Sequence, residues 1–372
     1  MSERDLVVRS HLSSAIDDAP IDVDERLSEL RSGGGRRTPQ HRVASILVAL
    51  AVALVGIVFA GRAFLGPSGL VGSGGIAQPI LFERVDVVPD RFVPFRTRIW
   101  SVREDGTLAT PLPQPGGNNT KAVWSPDGAR IAFVGQDLED LRTSTLWVMN
   151  ADGSALTALM EDFGVDTPSW SPDGQQIAFS GQQHPDPTGE SSGPQGIWVV
   201  SASGGDPRLI LEGDTWQDPS WAPDGTRLVV VGWDGEIANL YTISSSGSQP
   251  VRITDDGGSY TNPDWSPDGT KIVCDRSGTS GWNVDVYVMD ADGSERQPLT
   301  NWRGWDSGPI WSPDGSEIVF TSDRGATPKE MENKGQGGVQ GLAIYVMAAD
   351  GSDVRLIYDD GAMQDAPTSW GA

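Results

Sequence analysis

The stretch Trp124-Ser125-Pro126-Asp127-Gly128 recurs at Trp170–Gly174, Trp265–Gly269 and Trp311–Gly315, and a near copy, Trp-Ala-Pro-Asp-Gly, stands at Trp221–Gly225. An aliphatic run begins seven residues after each Trp, at Ile131, Ile177, Leu228, Ile272 and Ile318. Pro pre-sets φ at the first turn position, Asp bonds its own backbone, and Gly takes the positive φ that re-aims the chain. Each copy therefore reads as a strand, a tight turn and a second strand. A lone Pro-Asp-Gly says little, but five copies in register point to a repeat fold.

The intervals between these tryptophans are 46, 51, 44 and 46 residues, and Trp370 follows 59 residues later. Each interval holds a second hairpin. Its first strand is Thr145–Met149, Ile197–Val200, Leu240–Ile243, Val286–Met289 or Ile344–Met347, followed by a polar Gly turn and a short last strand. Periods of this length with four short strands per unit describe propeller blades. A single such sheet buries neither face, so the units stack in a ring, with the tryptophans between neighbours.

The repeat Trp-Ser-Pro-Asp-Gly-x-x-Ile, followed by (Ile/Leu)-(Tyr/Trp)-Val-Met-x-Ala-Asp-Gly-Ser, resembles the WD-like repeats of TolB-type β-propellers over residues 79–372. It lacks the Gly-His and Trp-Asp signatures of eukaryotic WD repeats. The resemblance implies an all-β, six-bladed β-propeller of four-stranded blades. Blade counting agrees. Five blades start at the repeat tryptophans, and Trp370 opens a sixth. Its missing strands are available at Ile80–Phe82, Ile99–Val102 and Leu108–Thr110, around a turn at Glu104–Thr107. Closing the ring with both chain ends removes exposed sheet edges.

The propeller is expected to be preceded by one transmembrane helix. Val43–Ala60 is an unbroken apolar run, extended by Phe64–Leu65, with Arg31, Arg36, Arg37 and Arg42 before it and only Arg62 close behind. That length spans a bilayer, and the arginine asymmetry keeps the amino terminus in the cytoplasm. The leading segment is far too long for a cleaved signal peptide. The expected organisation is a cytoplasmic tail at 1–42, a signal anchor at 43–65, a Gly/Ser-rich linker at 66–78 and an extracytoplasmic propeller at 79–372 of a single-pass bacterial membrane protein. The tail carries two short imperfect apolar faces and is a candidate site for a cytoplasmic protein.

The formal net charge is −24. Residues 1–62 hold eight acidic and eight basic side chains, so the outer part holds 51−8=43 acidic against 27−8=19 basic residues and carries the whole excess. Nucleic acid is not expected as a partner of such a surface, whereas a cationic partner is allowed. The single cysteine, Cys274, replaces a core Phe or Val and reads as a small buried hydrophobe.

No nucleophile elbow, phosphate loop or dinucleotide fingerprint occurs, and His184 is the only histidine beyond the apolar run. The chain is therefore expected to be non-catalytic, with no cofactor and no metal. The recurring turn carboxylates Asp127, Asp173, Asp224, Asp268 and Asp314 read as structural. The candidate binding residues are the tryptophans outside the repeat positions, Trp216, Trp233, Trp282, Trp302 and Trp305, with Asp218 and Asp306. All are expected in loops on the face opposite the Pro-Asp-Gly turns, in three consecutive blades. Surface Trp is enriched where partners bind. Asp166, Asp218, Asn262, Asp306 and Asp365 recur just ahead of the repeat tryptophans and either ring the channel mouth or cap their own turns. The favoured function is a membrane-anchored binding module for a protein, peptide or glycan. The alternatives are a transmembrane regulator whose tail binds a cytoplasmic factor such as a sigma factor, and a propeller hydrolase or lyase using loop carboxylates.

Overall fold

In a computed structural model of the chain, the residues described are 79–87, 95–136, 144–160, 163–183, 193–247, 249–278, 283–325, 342–359 and 365–369. They form a closed ring of six four-stranded antiparallel sheets. Blade I is composite: Asp365–Ser369 is its innermost strand, followed outward by Ile80–Val87, Phe95–Val102 and Thr110–Pro111. Blades II to VI follow in chain order and begin at Asn118, Phe163, Trp216, Ser259 and Asp306. The three strands expected near the start of the chain are thus present, with the first two longer than their apolar cores. Among the described residues no helix is long and apolar enough to cross a membrane. The tail at 1–42, the anchor at 43–65 with Val43–Ala60, and the linker at 66–78 lie outside them.

The turns form as their residues dictate. In blade II, Gly128 has φ 65°, Ser125 Oγ donates to Asp127 Oδ1, and Ala129 N donates to the same oxygen at 3.0 Å. These bonds hold the Asp127 carboxyl below its usual range, and Asp173, Asp224, Asp268 and Asp314 are lowered in the same way. The turn carboxylates are structural.

The apolar core divides by seam. Among the described residues, six clusters each straddle one pair of neighbouring blades. Trp170 of blade III, for example, is 6% exposed and packs with Val123, Val134 and Leu146 of blade II. Its indole Nε1 donates to Val123 O at 3.0 Å. Cys274 lies buried in the seam between blades IV and V, where burial pushes its thiol up. Hydrophobic burial between blades, rather than within one sheet, is what makes the ring cooperative.

The innermost strands carry a further repeat device. Three residues before the repeat Trp, the chain adopts positive φ in a β-bulge: Lys121 at 56°, Thr167 at 36°, Asp218 at 46°, Asn262 at 49° and Gly308 at 63°. The bulge bends the strand and takes its amide out of the ladder, and in blades II and VI that amide donates to a carboxylate of the preceding blade. Blade I departs from this pattern, because Pro367 occupies the equivalent place.

Candidate functional site

The second strand of each blade runs from the Pro-Asp-Gly turn to the opposite, loop-side face. Its residues ten and eleven after the repeat Trp divide the ring in two. In blades II, III and IV they are Val134-Gly135, Ser180-Gly181 and Val231-Gly232. In blade V they are Asp275-Arg276, and the strand pairing puts Glu83-Arg84 at the same places in blade I. Blade VI has Thr321-Ser322 there, with Arg324 two residues on.

Each third strand sets an aromatic ring beside this end: Trp100, Trp147, Trp198, Tyr241, Tyr287 and Tyr345. In blades V, VI and I a guanidinium covers that ring. Arg276 lies 5.1 Å from the Tyr287 centroid, Arg324 lies 5.2 Å from Tyr345, and Arg84 lies 4.7 Å from Trp100. In blades II and IV the ring closes against the glycine instead. A Cβ on Gly135 would sit 2.7 Å from Trp147 Nε1, and one on Gly232 would sit 2.8 Å from Tyr241 Cε2. In blade III, Trp198 Nε1 donates to Gly181 O at 3.1 Å.

Two buried carboxylates belong to the charged arc. Glu83 Oε1 accepts the bulge amide of Lys121 from blade II at 2.6 Å. Asp275 Oδ1 accepts the bulge amide of Gly308 from blade VI at 2.8 Å, and its Oδ2 accepts from Ser307 Oγ and Asn262 Nδ2, each at 2.7 Å. Both side chains are almost wholly removed from water. Burial raises each carboxyl to about 7, against the lowering effect of the hydrogen bonds.

The predicted site residues fall around this arc. Asp306 is fully buried rather than presented to solvent, and its Oδ2 accepts from Arg324 Nη2 at 2.6 Å. Its carboxyl is raised, chiefly by burial. The guanidinium of Arg324 also faces Phe320 at 5.2 Å and Trp302 at 5.8 Å. Trp302 is partly exposed and pinned at both polar ends: its amide donates to Asp285 Oδ1 at 3.1 Å and its Nε1 to Asp323 Oδ1 at 2.8 Å. Trp305, also partly exposed, bridges to Val284 through the backbone. Trp282 lies outside the described residues, as does His184.

Trp216 and Trp233 stand in strands, not in loops. The second and third strands of blade IV run to Asp234 and Ile237 around a tight turn at Gly235, so Trp233 is still paired. Trp216 opens the innermost strand, opposite Gly232, and meets Tyr241 edge-on at 5.1 Å. Both remain partly exposed, and Trp233 Nε1 donates to Gln217 Oε1 at 3.1 Å on the surface. The carboxamide and carboxylates read from the sequence as either a ring at the channel mouth or caps of their own turns do not share a register. Asp218 and Asn262 are bulge residues, Asp166 precedes the bulge by one and Asp306 by two, and Asp365 lies two before Pro367 in the blade that lacks the device. Asp218 is partly buried, and its charge helps to raise Asp275. Among the described residues no group of three or more His, Cys, Asp or Glu side chains is placed to hold a metal ion.

Sequence reasoning missed Glu83, Asp275, Arg276 and Arg324. The signal was available: aligning the second strands contrasts Val-Gly with Asp-Arg and Glu-Arg.

Residues 107–231 match the family model described as the TolB beta propeller domain, PD40. The chain carries a six-bladed β-propeller, part of which matches that domain model. Among solved structures, TolB from Acinetobacter baumannii is similar at 17% identity and TM-score 0.60, covering 77% of this chain and 65% of that one. This chain thus spans a little under two thirds of that relative. The putative TolB from Agrobacterium tumefaciens is similar at 20% identity and TM-score 0.56, covering 80% of this chain and 95% of that one. A chain of a nidogen/laminin complex is similar at 11% identity and TM-score 0.54, covering 77% of this chain and 92% of that one. At these identities the likeness is one of fold. A search among curated proteins finds no match for this chain.

Proposed function

We propose that this TolB-type propeller is a non-catalytic binding module, held outside a bacterial membrane by residues 43–65, that engages a protein, peptide or glycan through the loop-side end of blades IV to VI. The observation that carries the reading is the placement of Trp302 and Trp305 beside the Arg324–Asp306 pair. Trp302 is partly exposed yet fixed by two hydrogen bonds, and the guanidinium behind it is fixed by a buried carboxylate. An aromatic surface that loses little freedom on contact is the kind that dominates binding energy. Trp216 and Trp233 extend the surface across blade IV. The anchor rests on the apolar run and its flanking arginines, and the fold by itself decides neither partner nor activity.

The test pairs capture with stability. A photo-crosslinker placed at Gln217 or Arg303, both exposed, identifies the partner in intact cells. Trp302→Ala and Trp305→Ala are expected to weaken its capture by about 2 kcal/mol each, with the melting temperature little changed. Variants that unfold early yet capture normally while folded would show that these rings are core.

A further inference from the structure

The opposite face of the ring holds a second candidate site, which the repeat itself defines. Six residues after the repeat Trp, blades II and IV carry Arg130 and Arg227. Each guanidinium covers the repeat Trp of the next blade: Arg130 lies 4.7 Å from the Trp170 centroid, and Arg227 lies 4.8 Å from Trp265. Arg130 Nη2 also donates to Gly174 O at 2.9 Å and Nη1 to Ala202 O at 3.5 Å. Arg227 Nε stands 3.6 Å from Asp224 Oδ2 of its own Pro-Asp-Gly turn. Both seams thus hold a guanidinium against an indole face. Between blades II and III it also meets backbone carbonyls of the next blade, and between IV and V it stands near the carboxylate of its own turn.

Between blades III and IV the same place is different. The equivalent residue is Gln176, shorter and uncharged, and a cleft of about 450 Å³ opens over it. Its lining repeats the acceptor side of the neighbouring sites. Trp221, Gly225 and Ser245 correspond to Trp170, Gly174 and Ala202, and Asp173 is the turn carboxylate. Asp224 adds a second carboxylate. Arg208 is the one cation of the lining, and its nitrogens are directed to Ser245 O and Ser246 O, each at 3.2 Å. Trp221 has neither the guanidinium cover of its counterparts nor their anchor. Its Nε1 has no hydrogen-bond partner among the described residues, whereas Trp265 Nε1 donates to Ser220 O at 3.2 Å.

We propose that this cleft receives the guanidinium of an arginine presented by a basic peptide segment, stacked on Trp221 and flanked by Asp173 and Asp224. The chain lays its own guanidinium on the indole at the two neighbouring seams; here Arg208 takes the carbonyl acceptors without covering Trp221, and the place over that indole is left to a partner. Cation–π contact and charge-assisted bonds to fixed acceptors recognise guanidinium, a planar donor set that an ammonium does not reproduce. The acidic surface of the outer part of the chain favours the approach of such a segment.

The probe is a capped Gly-Gly-Arg-Gly-Gly peptide, titrated into the full-length chain with ¹⁵N-labelled indoles and read at the Trp221 resonance. The arginine peptide is expected to bind about tenfold more tightly than its citrulline counterpart, which keeps the shape and loses the charge. The preference should shrink with added salt. Gln176→Arg should fill the site in cis, weaken peptide binding at least about tenfold and raise the melting temperature by about 2 °C. Gln176→Ala should keep binding and the arginine preference. Trp302→Ala, on the other face, should leave the titration unchanged even if the loop-side reading fails. Equal affinity for the arginine and citrulline peptides would overturn the proposal, as would a folded Gln176→Arg chain that binds as the parent does.

Discussion

Blades II to IV and blades V, VI and I share one architecture and finish their second strands differently. In the first arc the strand carries glycine at this end, and in blades II and IV an aromatic ring closes on it too tightly for a Cβ. In the second it ends on a carboxylate or hydroxyl near an arginine, and the guanidinium takes the place of backbone as the surface under the ring. The two arcs differ in what they expose and in how they respond to charge. At this end the glycine arc is held by packing, whereas the arginine arc holds the buried carboxylates Glu83, Asp275 and Asp306 and the Arg324–Asp306 pair. Two of the candidate binding tryptophans, Trp302 and Trp305, lie in the arginine arc, and Trp216 and Trp233 lie at its border in blade IV.

The largest effect should come from breaking the most buried pair. Asp306 is fully buried and Arg324 is its charged partner. Arg324→Met keeps the apolar stem over Tyr345 but leaves a carboxylate without its cation, a loss of about 3–5 kcal/mol. Because burial has already raised Asp306, part of that loss should be recovered in acid, where the carboxyl is neutral. Thermal unfolding at pH 5 and pH 8 reads both parts. Arg276→Met is the contrast. Its partner Asp256 is substantially exposed, so its loss should stay near or below about 1 kcal/mol. Equal losses for the two variants would remove the distinction between a buried and a surface pair in this arc.

Next in size is the pH response of Glu83 and Asp275. Both are raised to about 7 in the folded ring, from ordinary values of 4.5 and 3.8. Between those limits the folded chain holds protons that the unfolded chain has released. Stability therefore falls as pH rises through the folded value and is regained on acidification. The turn aspartates act in the opposite sense, but only below about pH 4, where their lowered carboxyls protonate. The melting temperature should accordingly be higher at pH 5 than at pH 8. Glu83→Gln and Asp275→Asn should each flatten that slope, and a profile that stays as steep in the double variant would place the titration elsewhere.

The fold was legible because its determinants are local and repeated. Pro-Asp-Gly fixes each turn, the aliphatic run seven residues on fixes each second strand, and five copies outvote any single misreading. The composite blade was legible for the same reason, as three strands lacking a partner at one end and a Trp lacking its blade at the other. The site was less so. Whether Trp233 sits in a loop depends on how far the hairpin of blade IV stays paired, and that is set by a tight turn at Gly235. The burial of Asp306 depends on Arg324, eighteen residues away, which only the pairing of Asp306 with Ser322 brings near. Nor does the sequence show that Lys121 and Gly308 turn their amides toward Glu83 and Asp275, because that requires the bulge and the neighbouring blade together.

The smallest effect tests the other arc. Gly232 is not in a left-handed conformation, so its glycine is explained by space alone. A Cβ there would come within 2.4 Å of Trp216 Cζ3 and 2.8 Å of Tyr241 Cε2, two rings already in edge-on contact. Both are ring atoms held by packing, so they cannot rotate away as a flexible chain end would. Gly232→Ala should therefore cost about 1–3 kcal/mol through overpacking, against the usual small gain of replacing glycine in a strand. Trp216→Gly in the same chain should relieve part of that cost, since the closest atom belongs to Trp216. The measurement is a double-mutant cycle on thermal stability, in which coupling of about 1 kcal/mol is expected for residues in contact. If Gly232→Ala is neutral and the cycle additive, then glycine in blade IV is not set by the ring above it, and the two arcs differ only in charge.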